Sequence, residues 1–325
     1  MATLLLDRAD LEVRVVDGAL ALYEQGSRSG TVPFHLIDRV VIHGARTRLD
    51  SGVLLKLAEA GAATILMSPR AGRQVAIVLG PMHNDAAVRL AQSRRVMDEA
   101  FCRAWAQQLV AAKIRRQLHL LTVAEERRPD ARKPLFDARA CLASALAQVP
   151  AQSACASLRG LEGSAARAYF QGYGALFAGE LAFTGRNRRP PRDPVNACLS
   201  LAYTLLHFDA VRAAHSAGID PLLGFYHRPA FGRESLACDL IEPLRPLADE
   251  WVWQQFSGRT LRNEHFSPDK GACLLGKAGR GHFYAAWERF APRPRRWLRL
   301  RCAALARSLR SEGESWMEDD EEEVF

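Results

Sequence analysis

Two short runs in which apolar and polar positions alternate, residues 11–16 and 19–23, flank Asp17-Gly18 near the start of the chain. Alternation over five or six residues on either side of Asp-Gly predicts a β-hairpin, because the two-residue turn needs positive φ and glycine accepts it without a Cβ clash. Further β-rich runs fall at 37–42, 63–67 and 74–79. A single helix between them is predicted from Ser51 to a stop at Gly61. From Asn84-Asp85 the period changes: Val88, Leu90, Val96, Met97, Phe101, Trp105, Leu109 and Ile114 recur at helical spacing. Asp193-Pro194 predicts a helix start, an N-cap acid followed by proline at the first helical position, with a stop at Gly218. Asp220-Pro221 repeats the start signal, and an arginine-rich helix is expected over 295–310. The pattern predicts an α+β chain: a β-rich domain over 1–80, a larger all-α domain over 81–310, and an acidic, disordered tail over 311–325.

Charge sharpens this division. Lys plus Arg number 44 and Asp plus Glu 36, but eight acids and no base lie in the last fifteen residues, leaving 1–310 at +16. Residues 1–80 hold nine bases and eight acids, so the excess of +15 belongs to 81–310. A polyanion is the natural partner of such a surface, nucleic acid before membrane. Seven cysteines, an odd number with no C-x-x-C pair, point to a reducing cytoplasm. Asp7 and Arg8 interrupt the first apolar run too soon for a signal peptide, and no uncharged apolar stretch is long enough to span a bilayer, so no membrane association is expected.

Four acids and bases stand out. Glu162 comes one helical turn after Leu158, beside the apolar face, where an ionised carboxylate needs a partner; Gly160 and Gly163 nearby leave room for another element to approach. His227 follows Gly224-Phe225-Tyr226 in a loop. Asp239 and Glu242, at i and i+3 among leucines, repel each other unless solvated or bridged by a cation, and Pro243 predicts a kink beside them. A mostly oxygen donor set with one imidazole suits Mn²⁺ or Mg²⁺ better than structural zinc. The spacing alone is met equally well by salt bridges to the many arginines. Lys113, Arg115 and Arg116, with Arg186, Arg188, Arg189, Arg245, Arg293, Arg295, Arg296 and Arg299, and with Arg301 beyond them, are candidate phosphate contacts. Tyr169, Tyr203 and Trp297 are candidates for base stacking but fit core positions better. The G-x-x-x-x-G-K skeleton at 271–277 lacks the following hydroxyl, since residue 278 is Ala, and residues 263–270 are too polar for the preceding strand that a phosphate loop requires, so no ATPase is expected.

At these residues the sequence resembles the CRISPR-associated endonuclease/integrase family, the first of the universal Cas adaptation proteins. The resemblance spans nearly the whole chain. It is carried by Leu161-Glu162-Gly163 with Ala166-Arg167 and Tyr169-Phe170; by 188–191 leading to Asp193-Pro194-Val195-Asn196, Leu199-Ser200 and Tyr203; by Gly218-Ile219-Asp220-Pro221 leading to Gly224-Phe225 and His227; and by Asp239-Leu240-Ile241-Glu242-Pro243 with Arg245-Pro246. The resemblance implies a dimerising β domain, a helical catalytic domain, and a divalent-metal site at Glu162, His227 and Glu242 with Asp239 as an accessory acid. It also implies attack of a DNA 3′-hydroxyl on a phosphodiester of a CRISPR repeat, with double-stranded DNA, a second copy of the chain and the second universal adaptation protein as partners. Tyr226, where a smaller apolar residue is common, and the acidic tail depart from the family pattern. A nuclease that resolves branched DNA, or a non-catalytic DNA scaffold, are the alternatives the residues leave open.

Overall fold

The computed structural model describes residues 2–8, 10–43, 46–67, 74–80, 83, 85–187 and 190–317. Two compact units emerge: the chain up to residue 82 together with Gly281–Ala291, and the remainder. The first thus includes a segment from far along the chain that local patterning assigns to the helical part.

The first unit holds two four-stranded sheets. One contains β1 (Ala2–Leu6), β5 (Ile37–Ile42), β7 (Ala63–Met67) and β8 (Gln74–Val78) in that order, parallel except for the β7–β8 pair. The other runs β4 (Ser27–Pro33), β3 (Ala19–Glu24), β2 (Leu11–Val16), β6 (Arg48–Leu49). The β2–β3 hairpin turns on Asp17 and Gly18, at φ 51° and 70°, as the Asp-Gly signal requires. Helix α1 (Ser51–Glu59) is capped by Asp50, whose side chain accepts from the Val53 amide at 2.8 Å, and ends before Gly61 at φ 70°. Val53 and Leu57 of α1 join Leu11, Val13, Leu20, Val40 and Ile42 in one core, each at most 3% exposed.

The second unit is helical: α2 (Ala86–Met97), α3 (Glu99–Arg127), α4 (Arg132–Gln148), α5 (Cys155–Gly174), α6 (Pro194–Ser216), α7 (Ser235–Ile241), α8 (Arg245–Ser257) and α10 (Pro292–Gly313); α9 (Lys277–Phe290) belongs to the first unit from Gly281 onward. Asp193 caps α6 as predicted, accepting from the Asn196 amide at 2.8 Å, and Gly218 beyond its end has φ 77°. No helix starts at Asp220-Pro221, contrary to the sequence signal. Asp220 instead accepts from the Leu222 amide at 2.8 Å in a local turn, and its own amide donates to Gln92 Oε1 at 2.8 Å, so tertiary pairing outbids the helix start. A second correction concerns 266–275: a strand, β9 (Phe266–Asp269), does precede Gly271, and β10 (Ala272–Leu275) pairs with it antiparallel. Lys270 and Gly271 form the turn at φ 47° and 79°, so the skeleton of 271–277 lies on a hairpin rather than on a phosphate-binding loop. α10 also runs three residues into the stretch expected to be a tail, where Glu312 meets Arg95 Nε at 2.8 Å; residues 318–325 lie outside the described residues. Among the described residues no helix is long and apolar enough to cross a membrane.

Candidate active site

Four elements of the helical unit meet around Glu162. Lys113 projects from α3, whose buried positions Leu109, Lys113, Gln117 and Leu121 recur every fourth residue. Its ammonium donates to Glu162 Oε1 on α5 and, at 2.6 Å, to Glu242 Oε2. Glu242 opens the 3₁₀ turn Glu242–Leu244, which contains Pro243 and lies between α7 and α8, and its own backbone stays helical at φ −53°, ψ −46°, contrary to the break expected from the proline. The other oxygen of each carboxylate is held from outside: Tyr226 Oη donates to Glu162 Oε2 at 2.5 Å, and Arg245 Nε lies 2.9 Å from Glu242 Oε1.

Asp239 and Glu242 therefore do not share a partner despite their i, i+3 spacing. Asp239 is fully buried and turned toward the loop at 225–227. Its Oδ2 accepts from the amides of Phe225 and Tyr226 at 2.8 and 2.9 Å, and its Oδ1 from the amide of His227 at 2.8 Å, with His227 Nδ1 2.7 Å away. Four contacts from one carboxylate fix both the loop backbone and the imidazole plane. Donation from Nδ1 to a carboxylate leaves the lone pair on Nε2. Gly224 permits the tight loop, because a Cβ there would stand 2.6 Å from the His227 carbonyl oxygen and 2.6 Å from the Ser235 carbonyl carbon.

Burial opposes the charge on Glu242, yet Arg245 and Lys113 overcome it and hold the carboxyl down to about 2. Burial likewise opposes the Lys113 ammonium, and Glu242 and Glu162 together raise it above the usual lysine range. Behind Arg245, whose guanidinium lies 4.6 Å from the Tyr203 ring centre, a second carboxylate sits in a phenol cage. Asp249 accepts from Tyr203 Oη and, at 2.8 Å, from Tyr169 Oη, while its carbonyl accepts from Tyr173 Oη at 2.8 Å. Tyr169 and Tyr203 are thus core residues. Burial dominates at Asp249 and pushes it from 3.8 up to about 6. A group raised in the folded state adds stability that is complete below its unfolded value and lost as pH rises through the folded one. Relative to Asp249→Asn, the native protein is expected to gain stability between pH 7 and pH 5 in urea unfolding. A flat difference across that range would contradict the buried charge.

Among the described residues no three His, Cys, Asp or Glu side chains stand close enough together to cage a metal as they are placed. The donor chemistry nonetheless fits a divalent cation: two carboxylates from different helices bring one oxygen each to a single positive charge, and His227 Nε2 is left without a hydrogen bond among the described residues. The glycines in α5 do not serve as expected, since a Cβ at Gly160 or Gly163 meets nothing within 4 Å; the close approach is at Gly172, against Ala138 of α4.

The phosphate candidates divide by environment. Arg115, Arg293, Arg296 and Arg299 are exposed, and Arg116 is half-buried with its charge disfavoured first by burial and then by Arg293. Lys113 is buried and Arg245 half-buried in the carboxylate cluster, where their charges are met by Glu162 and Glu242. Arg295 is paired with Asp209 at 3.2 Å, Arg186 donates to Asn196 Oδ1 at 2.8 Å, and the Arg301 guanidinium lies over Trp105 at 4.7 Å. Arg188 and Arg189 lie outside the described residues. Sequence reasoning missed Lys113 as a counter-ion and Asp249 altogether. A lysine at a core-facing helical position was the available signal, because a buried ammonium demands a buried acid.

An α+β protein with a carboxylate and imidazole centre in its helical unit is the class that fold and site define. Residues 4–289 match the family model described as CRISPR associated protein Cas1. A relative from Thermodesulfovibrio yellowstonii named CRISPR-associated endonuclease Cas1 1 is 35% identical over 315 residues, 96% of this chain and 98% of its own. The chain belongs to the Cas1 family. Among solved structures, a casposase bound to integration product has the same fold at TM-score 0.84 and 20% identity, covering 97% of this chain and 92% of that one. The chain of a Cas6-RT-Cas1–Cas2 complex aligns at TM-score 0.79 and 24% identity, over 99% of this chain and 36% of that one.

Proposed function

We propose that the protein is a divalent-metal-dependent DNA integrase that inserts short fragments into a CRISPR array by attack of a 3′-hydroxyl on a phosphodiester. The observation that carries this reading is the convergence of Glu162 Oε1 and Glu242 Oε2 on one cation, beside an imidazole whose Nδ1 stands 2.7 Å from Asp239 Oδ1. Glu162, Glu242 and His227 Nε2 are the groups that would hold Mn²⁺ or Mg²⁺. Such a cation, when bound, polarises the phosphoryl oxygen and stabilises the charge of the leaving oxygen. Asp239 keeps the His227 proton on Nδ1 and the ring in place. Arg245, ion-paired to Glu242 and lying against Tyr203, fixes the direction of that carboxylate. Arg115, Arg293, Arg296 and Arg299 are the exposed groups available to DNA phosphates, which position a duplex without reading its sequence. Membership of the Cas1 family, and relatives named as endonuclease, casposase with its integration product and Cas1–Cas2 complex, support the same reading. A second copy of this chain, through the β-rich unit, and the second universal adaptation protein are the protein partners in this reading.

Integration and simple cleavage differ in their dependence on the donor end. With a supercoiled plasmid bearing a repeat, a labelled duplex with 3′-hydroxyl ends is expected to become joined, and the same duplex with 3′-deoxy ends is not. Cutting that is indifferent to the donor end would replace this reading with a nuclease acting on branched DNA. Tight binding with unaltered DNA would replace it with a scaffold.

A further inference from the structure

Of the five lysines in the chain, Lys56, Lys133, Lys270 and Lys277 are exposed, and only Lys113 is buried. Its side chain is 11% exposed, against 5% for Glu242 and 17% for Glu162. The arrangement around it has two layers. The inner oxygens, Glu162 Oε1 and Glu242 Oε2, both accept from the one ammonium; the outer oxygens are held by Tyr226 Oη at 2.5 Å and by Arg245 at 2.9 Å. Removing the ammonium from this geometry would leave the outer contacts in place and two inner oxygens facing one point. The charges make the ammonium exchangeable. Glu162 and Glu242 balance Lys113 and Arg245, so a divalent cation added between the carboxylates with Lys113 still present would leave an excess of two positive charges in a buried cluster, a costly state. A lysine ammonium is a point charge on a flexible four-carbon stem and can withdraw, whereas the Arg245 fork is pinned between Glu242 and the Tyr203 ring.

We propose that Lys113 is the resident cation of the metal-free centre: its ammonium holds Glu162 and Glu242 on one point and gives way when a divalent cation binds there. This inference rests on the reading of Glu162 and Glu242 as metal ligands. It goes beyond that reading in making metal binding an exchange of one cation for another rather than the filling of an open cage. In that exchange Lys113 lowers the affinity for metal while keeping the metal-free protein folded with its ligands pre-placed. Tyr226 and Arg245 then act as positioning residues that keep the ligands aimed through the exchange.

The test uses the full-length protein and two readouts other than activity. In the first, lysines of the wild type are reductively methylated with formaldehyde and a borane reductant in EDTA or in saturating Mg²⁺, and each site is followed by mass spectrometry. Lys113 is expected to be protected in EDTA and to react on the order of tenfold faster or more with Mg²⁺, as a group released from a buried contact does, while the other four lysines keep their rates. In the second, Mn²⁺ is titrated calorimetrically into wild type and Lys113→Met. The substitution is expected to tighten binding by on the order of 10- to 100-fold, the scale on which neighbours of a ligand tune a site, and to lower the melting temperature in EDTA but not in Mn²⁺. Equal protection of Lys113 with and without Mg²⁺, or unchanged or weaker Mn²⁺ binding by Lys113→Met, overturns the exchange. If Lys113→Met does not fold without metal, the methylation of the wild type decides alone. A wild type whose Mn²⁺ binding is absent, or is unaffected by Glu162→Gln, overturns the metal reading itself, an outcome distinct from a site that binds metal without moving Lys113.

Discussion

Asp239→Ala is expected to destabilise the protein by about 3–5 kcal/mol, the cost of removing one member of a buried charged network, and to reduce strand transfer by roughly 100-fold or more. The expectation follows from what the carboxylate touches. Three consecutive amides, at Phe225, Tyr226 and His227, and the His227 ring all lie within 2.9 Å of it, and it is fully buried. Alanine removes the acceptor of those three donors, and buried donors without partners are expensive. It also frees the imidazole to rotate and to change tautomer; a displacement of about 1 Å at a reacting centre costs on the order of 100-fold in rate. Asp239→Asn separates the two effects. It keeps an acceptor for part of the loop but turns an N–H₂ toward amide donors, so it is expected to lose less stability than alanine and still most of the activity. Urea unfolding alongside the joining assay checks both numbers. A variant that retained wild-type activity would mean the loop holds His227 without Asp239.

Glu242→Ala is the second large effect. Joining is expected to fall more than about 100-fold, beyond the loss usual for groups that merely support a metal ligand. Stability falls as well, because Lys113 would keep only Glu162 of its two carboxylate partners and Arg245 would lose the carboxylate it is paired with. The pH dependence has a definite sign. Glu242 is held down to about 2 from an ordinary 4.5, so its contribution is complete above about pH 4.5 and is lost as pH falls from there through about 2. Acid unfolding of wild type and Glu242→Ala should therefore converge over that interval. Parallel curves through it would show that the buried ion pairs contribute nothing to folding.

Local signals carried much of this fold. Asp17-Gly18, the Asp193 cap, Gly61 and Gly218 each act within a few residues, and each does in the structure what its chemistry predicts. Pairings between distant segments were not legible. β1 lies parallel to β5, and β4, with its polar Ser27-Arg28-Ser29-Gly30, shows no apolar alternation because neither face of that stretch is buried. The hairpin at 266–275 was hidden for a similar reason, its first strand being polar and half-exposed. At the site, Glu162, Asp239 and Glu242 were legible as acids beside apolar residues, and His227 as an imidazole on a loop. Their division of labour was not, because the i, i+3 spacing of Asp239 and Glu242 suggests a shared partner, whereas Asp239 pairs with the loop at 225–227 and Glu242 with Lys113 and Arg245.

The most direct test is joining of a labelled short duplex to a supercoiled plasmid bearing a repeat, in Mn²⁺, Mg²⁺ or EDTA, by wild type, His227→Ala and Glu242→Ala, with and without the second adaptation protein. Joining is expected from the wild type only with metal, and from either variant at least about 100-fold less under every condition. Joining in EDTA, or joining by His227→Ala and Glu242→Ala at the wild-type level, would contradict this expectation.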